Sequence, residues 1–235
     1  MMEQKKVLVT GSTGSIGEAI VKEFAKNGYF VYIHYNSNKT KALEILEDIE
    51  NCGELITFNI KDKNSIRKAL KNISVNVLIN NAGIIKDNLF FFMEDDEFED
   101  VIDTNLKGLY YVTQTLSKDM MMNKNGSIVN MASISGLIGN SGQANYSASK
   151  GGIIALTKTL AIELGRYKIR VNTIAPGIIE SEMIENIPNV KEMKKAIPLN
   201  RFGKPEEVAK ATYFMAVDAT FVTGETLNIS GGMVR

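Results

Sequence analysis

A glycine-rich turn joins the first predicted strand of this chain to its first predicted helix. The strand covers residues 5–10, the turn runs from Gly11 to Gly17, and the helix continues to about Asn27. Residues 30–35 form the next apolar strand, so the turn lies inside a strand–helix–strand unit. Glycines allow the backbone to approach a pyrophosphate closely, and a helix amino terminus offers free N–H groups to it. The turn in this setting predicts a dinucleotide-binding fold.

Strand and helix signals alternate along the rest of the chain. Further strands are predicted at residues 55–59, 76–80, 127–132, 168–174 and 226–229, and helices at residues 39–50, 63–71, 94–122 and 146–164 and from Pro205. Such alternation indicates a mostly parallel sheet with right-handed crossovers and helices on both faces. We therefore predict an α/β fold, a Rossmann-like doubly wound parallel sheet, with residues 1–235 in a single domain. The prolines and mixed polarity of residues 178–202 predict a mobile lid over the substrate.

The composition excludes several classes of protein. Lysine plus arginine and aspartate plus glutamate both number 27, so no basic field favours nucleic acid or an anionic membrane surface. The amino-terminal apolar run is too short for a signal peptide or a membrane span, which predicts a cytoplasmic protein. With one cysteine, Cys52, and one histidine, His34, a Cys/His zinc site within one chain is excluded, and we predict no metal.

Tyr146 and Lys150 stand four residues apart in a predicted helix. Side chains at this spacing lie on one face about one turn apart, so the ammonium should lie beside the tyrosine hydroxyl. A neighbouring ammonium stabilises the phenolate, and we expect it to lower the pKa of Tyr146 toward the range of a general acid or base. Ser133, after the fifth strand, is placed to donate a hydrogen bond to a substrate oxygen. A bare Tyr-x-x-x-Lys more often only decorates an amphipathic helix, but the other motifs of this chain favour a catalytic site.

These motifs occur in a fixed order along the chain. They are Thr10-Gly11 to Gly17, Asn80-Asn81-Ala82-Gly83, Asn105, Ser133, Tyr146-x-x-x-Lys150 and Pro176-Gly177. In this order and spacing they resemble the short-chain dehydrogenase/reductase family over essentially the whole chain. Within that family, residues 86–89, 139–146, 201–207, 223–227 and 231–233 resemble the bacterial 3-oxoacyl-acyl-carrier-protein reductases. The resemblance implies an oxidoreductase that uses a nicotinamide dinucleotide.

The resemblance also implies a role for each matching residue. Tyr146 would protonate a substrate carbonyl oxygen, Ser133 would hydrogen-bond the same oxygen, and Lys150 would lower the tyrosine pKa and bind the nicotinamide ribose. Asn105 would hold a water that links Lys150 to solvent. The residues expected to contact the dinucleotide are Gly11, Ser12, Thr13, Ser15, Ile16, Gly17, Tyr35, Asn36, Ser37, Asn59, Ile60, Asn81, Ala82, Gly83, Tyr146, Lys150, Pro176, Gly177, Ile179 and Ser181.

The choice between NADPH and NADH depends on a few positions. The resembled reductases usually have a basic residue at the position of Gly14 and glycine at that of Ser15, so one cation for the 2′-phosphate is missing. A carboxylate at the end of the second strand would bind the 2′-hydroxyl of NADH and repel a phosphate, but none is present. Residues 34–38 offer neutral donors there, and Lys39 and Lys41 follow. The sequence therefore favours NADPH, and its histidine is interpreted as part of this strand end rather than as a catalyst.

Together these features predict an NADPH-dependent reductase that converts 3-oxoacyl thioesters on acyl carrier protein to 3-hydroxyacyl thioesters in fatty acid synthesis. One alternative is a reductase or dehydrogenase for a CoA thioester, a polyketide, a sugar or another alcohol or ketone. Another alternative is a non-catalytic dinucleotide-sensing protein, which would not need Asn105, Ser133, Tyr146 and Lys150 together.

Two expectations about partners rest on the resemblance alone. It implies a homotetramer, assembled through the helices that begin near Glu94 and Asn145 and through the C-terminal strand. It also implies that an acidic carrier protein docks near the site entrance on Lys124, Arg166 and Lys168.

Overall fold

The computed structural model describes residues 4–181 and 190–234, and within these ranges seven strands form one sheet. The strands are β1 (Lys6–Val9), β2 (Phe30–Tyr35), β3 (Gly53–Thr57), β4 (Val77–Asn80), β5 (Gly126–Met131), β6 (Ile169–Pro176) and β7 (Thr226–Ile229). The α-helices are α1 (Ser15–Lys26), α2 (Lys39–Asp48), α3 (Lys63–Ala69), α4 (Asp95–Ile102), α5 (Gly108–Asn123), α6 (Ser135–Ile138), α7 (Ala144–Gly165), α8 (Val190–Lys195) and α9 (Pro205–Tyr213). A 3₁₀ turn covers Phe90–Phe92, and π-helical turns cover Asp103–Lys107 and Phe214–Asp218. None of the helices described is long and apolar enough to cross a membrane.

The strands lie in the order β3-β2-β1-β4-β5-β6-β7, and every neighbouring pair is parallel. Because the strands are parallel, all their carboxyl ends meet at one edge of the sheet. The strand order reverses between β1 and β4, which is the switch point where sheets of this kind bind ligands. The predicted doubly wound parallel sheet is confirmed.

The central strands are buried on both faces. Val7 and Val9 of β1 belong to a buried cluster that includes Phe24 of α1, whereas Leu8 belongs to a second cluster that includes Leu116 of α5. Successive side chains of a strand point to opposite faces, so each cluster occupies one face of the sheet. Helices therefore cover both faces, as parallel crossovers require.

The sequence predicts one helix over residues 94–122, and the structure shows continuous helix over residues 95–123 with a π turn inside it. The π turn at Asp103–Lys107 separates α4 from α5. Within that turn, the side-chain amide of Asn105 accepts from the Ile84 N–H at 2.8 Å and donates to the Ile84 carbonyl at 3.0 Å. A π turn is held by such tertiary contacts as much as by its own sequence, and it often marks a functional site. The predicted long helix is present, and the π turn inside it was not predicted.

The third strand also differs from its prediction. It covers Gly53–Thr57 rather than residues 55–59. A side chain at Gly53 would place its Cβ 2.3 Å from the carbonyl oxygen of Val31 in β2, so the strand begins where only glycine allows this approach. The shift leaves Asn59 beyond the strand, at the carboxyl edge of the sheet.

The predicted lid at residues 178–202 is described only in part, because residues 182–189 lie outside the described ranges. At its start, Ile179 forms an isolated parallel bridge with Gly203. At its other end, α8 precedes the segment that leads back to this bridge. The lid stays a prediction.

Candidate active site

A cleft of about 510 Å³ opens at the carboxyl edge of the sheet, beyond β1, β2 and β4. Many of the residues predicted to contact a dinucleotide line it: Gly11, Thr13, Ser15, Ile16, Gly17, Tyr35, Asn36, Ser37, Asn59, Ile60, Asn81, Ala82 and Gly83. Six lining residues were not predicted as contacts: Gly14, His34, Asn38, Lys61, Ile84 and Thr104. Most of these six are sequence neighbours of predicted contacts. Their position near the carboxyl ends of the strands could have predicted them, whereas their residue types could not.

The glycine-rich turn fits a dinucleotide pyrophosphate. Gly11 has a left-handed backbone with φ of +64°, and a Cβ there would lie 2.7 Å from the Cα of Ala82. Helix α1 starts at Ser15, and no side chain caps its amino end at Gly14. The turn is thus a backbone cradle that a Cβ would fill, with unbonded helix donors at its floor.

Ser12 was predicted to contact the dinucleotide, but its side chain does not face the cleft. It is fully buried, and its Oγ donates to the Val9 carbonyl at 2.7 Å. Its backbone N–H donates to the carbonyl oxygen of His34 at 3.0 Å. Ser12 therefore fixes the turn from behind instead of lining the cleft.

The predicted contacts Pro176, Gly177, Ile179 and Ser181 also lie outside the lining of this cleft. They lie at and beyond the carboxyl end of β6. The Ile134 N–H, next to Ser133, donates to the Pro176 carbonyl at 3.0 Å. The segment after β6 is thereby joined to the segment that carries Ser133.

Lys150 lies in α7 with its ammonium inside the protein. The residue is 4% exposed, and its Nζ donates to the carbonyl oxygen of Met131, the last residue of β5, at 2.7 Å. Burial disfavours the charged form and lowers the pKa of Lys150 to about 8. The same Nζ lies 5.4 Å from the centre of the Tyr146 ring, so the helical spacing brings the two side chains together as predicted.

The predicted lowering of the Tyr146 pKa is not found. Burial of the hydroxyl raises the pKa of Tyr146 above its ordinary value; a hydrogen bond with Ser133 opposes this change, and the Asp87 carboxylate adds to it. The Lys150 ammonium faces the ring and the Met131 carbonyl, and burial is the largest cause of the raised pKa of Tyr146. Tyr146 is consequently a neutral hydroxyl at pH 7, the form that can donate a proton.

A chain of polar side chains that the sequence did not reveal supports Ser133. The Ser135 N–H donates to Ser133 Oγ at 3.2 Å, and Ser135 Oγ donates to Gln143 Oε1 at 2.8 Å. Gln143 Nε2 donates in turn to Asp87 Oδ2 at 2.9 Å. Ser135 and Gln143 are buried, and these hydrogen bonds tie Ser133 to the segment after β4. Only the fold brings these residues together.

Asn105 lies between the cleft and Lys150. It is fully buried, and its Nδ2 donates to Ser149 Oγ at 3.2 Å in addition to its bonds with Ile84. A Cβ added at Gly83 would lie 3.2 Å from Asn105 Oδ1 and 3.6 Å from Lys150 Nζ. Gly83 lines the cleft, so the cleft reaches Asn105 and Lys150 at this point. The water-holding role of Asn105 stays a prediction.

Lys124, Arg166 and Lys168 do not lie near this site, contrary to expectation. Lys124 follows α5 and precedes β5, and the other two lie between α7 and β6. All three are therefore at the amino edge of the sheet, whereas Ser133 lies at the carboxyl edge. The six residues of β5 alone span about 20 Å at ~3.3 Å per residue. Docking on these residues near the entrance of the same chain's site is excluded by this distance.

Comparisons with known proteins agree with this geometry. Residues 11–234 match the family model described as Enoyl-(Acyl carrier protein) reductase. The 3-oxoacyl-[acyl-carrier-protein] reductase FabG of Staphylococcus epidermidis is 41% identical over 240 residues, which cover 97% of this chain and 98% of that protein. The 3-oxoacyl-[acyl-carrier-protein] reductase of Synechocystis is 41% identical over 237 residues, covering 97% and 96%. The FabG protein of Thermotoga maritima is 40% identical over 245 residues, covering 99% of both chains.

Replacing each of two glycines of the turn by alanine should affect dinucleotide affinity very differently. A Cβ at Gly17 would lie 2.2 Å from the Gly11 carbonyl oxygen, whereas a Cβ at Gly14 would meet nothing closer than 3.8 Å. Gly17→Ala must displace the turn, so we expect its affinity for a reduced nicotinamide dinucleotide to fall at least about tenfold. Gly14→Ala should stay within about twofold of the unmodified protein. Calorimetric titration measures both, and equal affinities would contradict the assignment of this turn.

Proposed function

The chain belongs to the short-chain dehydrogenase/reductase family, and from this premise we propose that it reduces 3-oxoacyl thioesters on acyl carrier protein to 3-hydroxyacyl thioesters, with NADPH, in fatty acid synthesis. The observation that supports this most is the cluster of Ser133, Tyr146 and Lys150 at the sheet edge that also holds the dinucleotide cleft. The names of the three relatives support the substrate class.

The side chains divide the chemistry between them. A reduced nicotinamide dinucleotide supplies the hydride when it is bound in the cleft. Tyr146 Oη, neutral at pH 7, donates its proton to the carbonyl oxygen as negative charge develops there. Ser133 Oγ hydrogen-bonds the same oxygen, and the Lys150 ammonium beside the ring stabilises the tyrosinate that forms. The rigid polar chain behind Ser133 keeps these donors aligned.

Replacing Tyr146 by phenylalanine removes the proton donor and leaves the ring. Since general acid catalysis contributes about 10²–10⁴-fold, we expect Tyr146→Phe to lose at least about 100-fold in kcat while its dinucleotide affinity is kept. Tyr110→Phe, which removes an exposed hydroxyl on α5, is the matched control and should be fully active. Turnover of Tyr146→Phe close to that of Tyr110→Phe would refute the assigned role.

The same assay separates the proposed reaction from its nearest competitor. The family model is described as an enoyl reductase, whereas the relatives are named as 3-oxoacyl reductases. Hydride addition places negative charge on a carbonyl oxygen of either thioester, so the choice between them is supported by the names of the relatives. We therefore expect a 3-oxoacyl thioester to be reduced, and an enoyl thioester of equal chain length to remain unchanged. The reverse preference would overturn the proposed substrate.

NADPH is proposed because the cleft offers no carboxylate to a ribose 2′-hydroxyl. Among the lining residues of the part of the chain that the structure describes, none is acidic, and Tyr35, Asn36 and Ser37 stand at the end of β2. Lys41, expected to support the 2′-phosphate, instead pairs with Glu18 at 3.0 Å. The preference should therefore be clear in direction but modest in size.

A charge placed at the end of β2 tests this preference. We expect kcat/KM with NADPH to exceed that with NADH in the unmodified protein, and Tyr35→Asp to reverse the order because a carboxylate repels the 2′-phosphate. Tyr35→Asn introduces a side chain of the same shape as aspartate but without its charge, and it should keep the NADPH preference. Higher kcat/KM with NADH in the unmodified protein would refute the proposal.

Assembly into a homotetramer is proposed through the helices that begin near Glu94 and Asn145 and through β7. Ala155 on α7 is exposed, and Ile162 on the same helix is 82% exposed. We expect multi-angle light scattering to give the mass of a tetramer, and Ala155→Glu to reduce it, because a charge would be buried between copies. Lys68→Glu on α3 is the control that should leave the mass unchanged. A monomer at micromolar concentration would contradict this assembly.

The carrier protein is proposed as the partner that brings the thioester, and the cytoplasm as the location. Both rest on the relatives and on composition. The carrier would not dock on Lys124, Arg166 and Lys168 beside the site of the same chain, since these cations lie at the opposite sheet edge. We also propose that residues 178–202, of which 182–189 lie outside the described ranges, form a lid over the substrate.

A further inference from the structure

We propose that His34 is a positioning residue that holds the glycine-rich turn in the shape that binds the dinucleotide. His34 lies at the carboxyl end of β2 and is 2% exposed. The catalytic cluster does not use it. The proposal depends on the dinucleotide-binding part of the proposed function and not on the identity of the thioester.

Both ring nitrogens of His34 are engaged. The Gly11 N–H donates to Nδ1 at 3.0 Å, and Nε2 lies 3.1 Å from the carbonyl oxygen of Phe58. A carbonyl oxygen only accepts, and a backbone N–H only donates, so Nε2 carries the hydrogen and Nδ1 presents its lone pair. Burial lowers the pKa of His34 to about 4, so the ring stays in this neutral form at pH 7. One tautomer satisfies both partners.

The partners of His34 belong to two sides of the dinucleotide cleft. Gly11 begins the turn with its left-handed φ of +64°, and the His34 carbonyl takes the N–H of the next residue at 3.0 Å. Phe58 directly precedes Asn59 and Ile60, which line the cleft beyond β3. One imidazole therefore fixes the turn relative to the far side of the cleft.

A merely structural role would have a different signature. The His34 ring stacks on the Phe58 ring with centroids 3.9 Å apart, so it also contributes to packing. Packing depends on the ring as a whole, whereas the positioning role depends on the lone pair at Nδ1. Two amide residues separate these effects because each reproduces one nitrogen of the ring.

The test compares His34→Asn with His34→Gln. The Asn Oδ1 takes the place of Nδ1 and can accept from Gly11, while the Gln amide takes the place of Nε2 and leaves the Gly11 N–H without its acceptor. Both variants lose the ring. Since losing the acceptor of the part-buried Gly11 N–H lets the turn change shape, we expect the dissociation constant for NADPH to rise at least about fivefold in the Gln variant relative to the Asn variant. Quenching of tyrosine fluorescence on titration with NADPH, without a thioester, measures this constant.

Further readouts separate positioning from folding. At saturating NADPH, kcat should be nearly unchanged in both variants, so that the effect appears in KM for NADPH. Phe58→Leu removes the stacked ring but keeps the Phe58 backbone carbonyl, and it should lower Tm without weakening NADPH binding.

Three results would overturn the proposal. They are equal dissociation constants in the Asn and Gln variants, a dissociation constant that follows Tm across the three variants, and a Gln variant that does not fold where the Asn variant does. Because the NADPH titration contains no thioester, loss of the oxoacyl assignment would leave the comparison of dissociation constants intact. Tight NADPH binding by the unmodified protein in the absence of any oxoacyl reduction would separate the two failures.

Discussion

The candidate active site depends on one buried charge, the ammonium of Lys150. An isolated ammonium in an apolar interior is strongly destabilising, and it is tolerated only where dipoles and donors surround it. Here the Met131 carbonyl at 2.7 Å and the face of the Tyr146 ring provide that environment. This arrangement requires α7 to pack closely against α6. Gly136 of α6 permits the approach because it has no Cβ, and a Cβ there would lie only 2.6 Å from the backbone of Lys150. The position of the tyrosine hydroxyl follows from this packing.

Much of the fold could be predicted because its constraints are local or periodic. A parallel sheet covered on both faces requires apolar strands separated by helices, and that alternation is visible in the sequence. The turn from Gly11 to Gly17 could be assigned because close backbone approach requires glycine, and the structure shows a Cβ contact of 2.2 Å at Gly17. Likewise, the four-residue spacing of Tyr146 and Lys150 was sufficient to place them on one side of a helix.

The features that escaped prediction depend on contacts between distant segments. The π turn that carries Asn105 is held by the backbone of Ile84, which lies 21 residues earlier. The link from Gln143 to Asp87 spans 56 residues. The sign of the Tyr146 pKa shift was missed for the same reason, since helical spacing reveals the neighbouring ammonium but not the depth of burial that raises the pKa of the tyrosine. Strand direction, too, places Lys124 and Arg166 far from the site, although their sequence positions adjoin the strands that carry it.

His34 and Lys150 show how the same burial produces different chemistry at one sheet edge. Desolvation disfavours the charged form of both and lowers the pKa of His34 to about 4 and that of Lys150 to about 8. Since neutral imidazole has one donor and one acceptor, the Phe58 carbonyl and the Gly11 N–H satisfy it completely. Lys150 faces a carbonyl and the π face of a ring, both of which favour a cation, so it remains protonated at pH 7. The neutral group suits a backbone turn that must keep a fixed shape. The charged group suits the proton release proposed for Tyr146, because its field would stabilise the anion only as that anion forms.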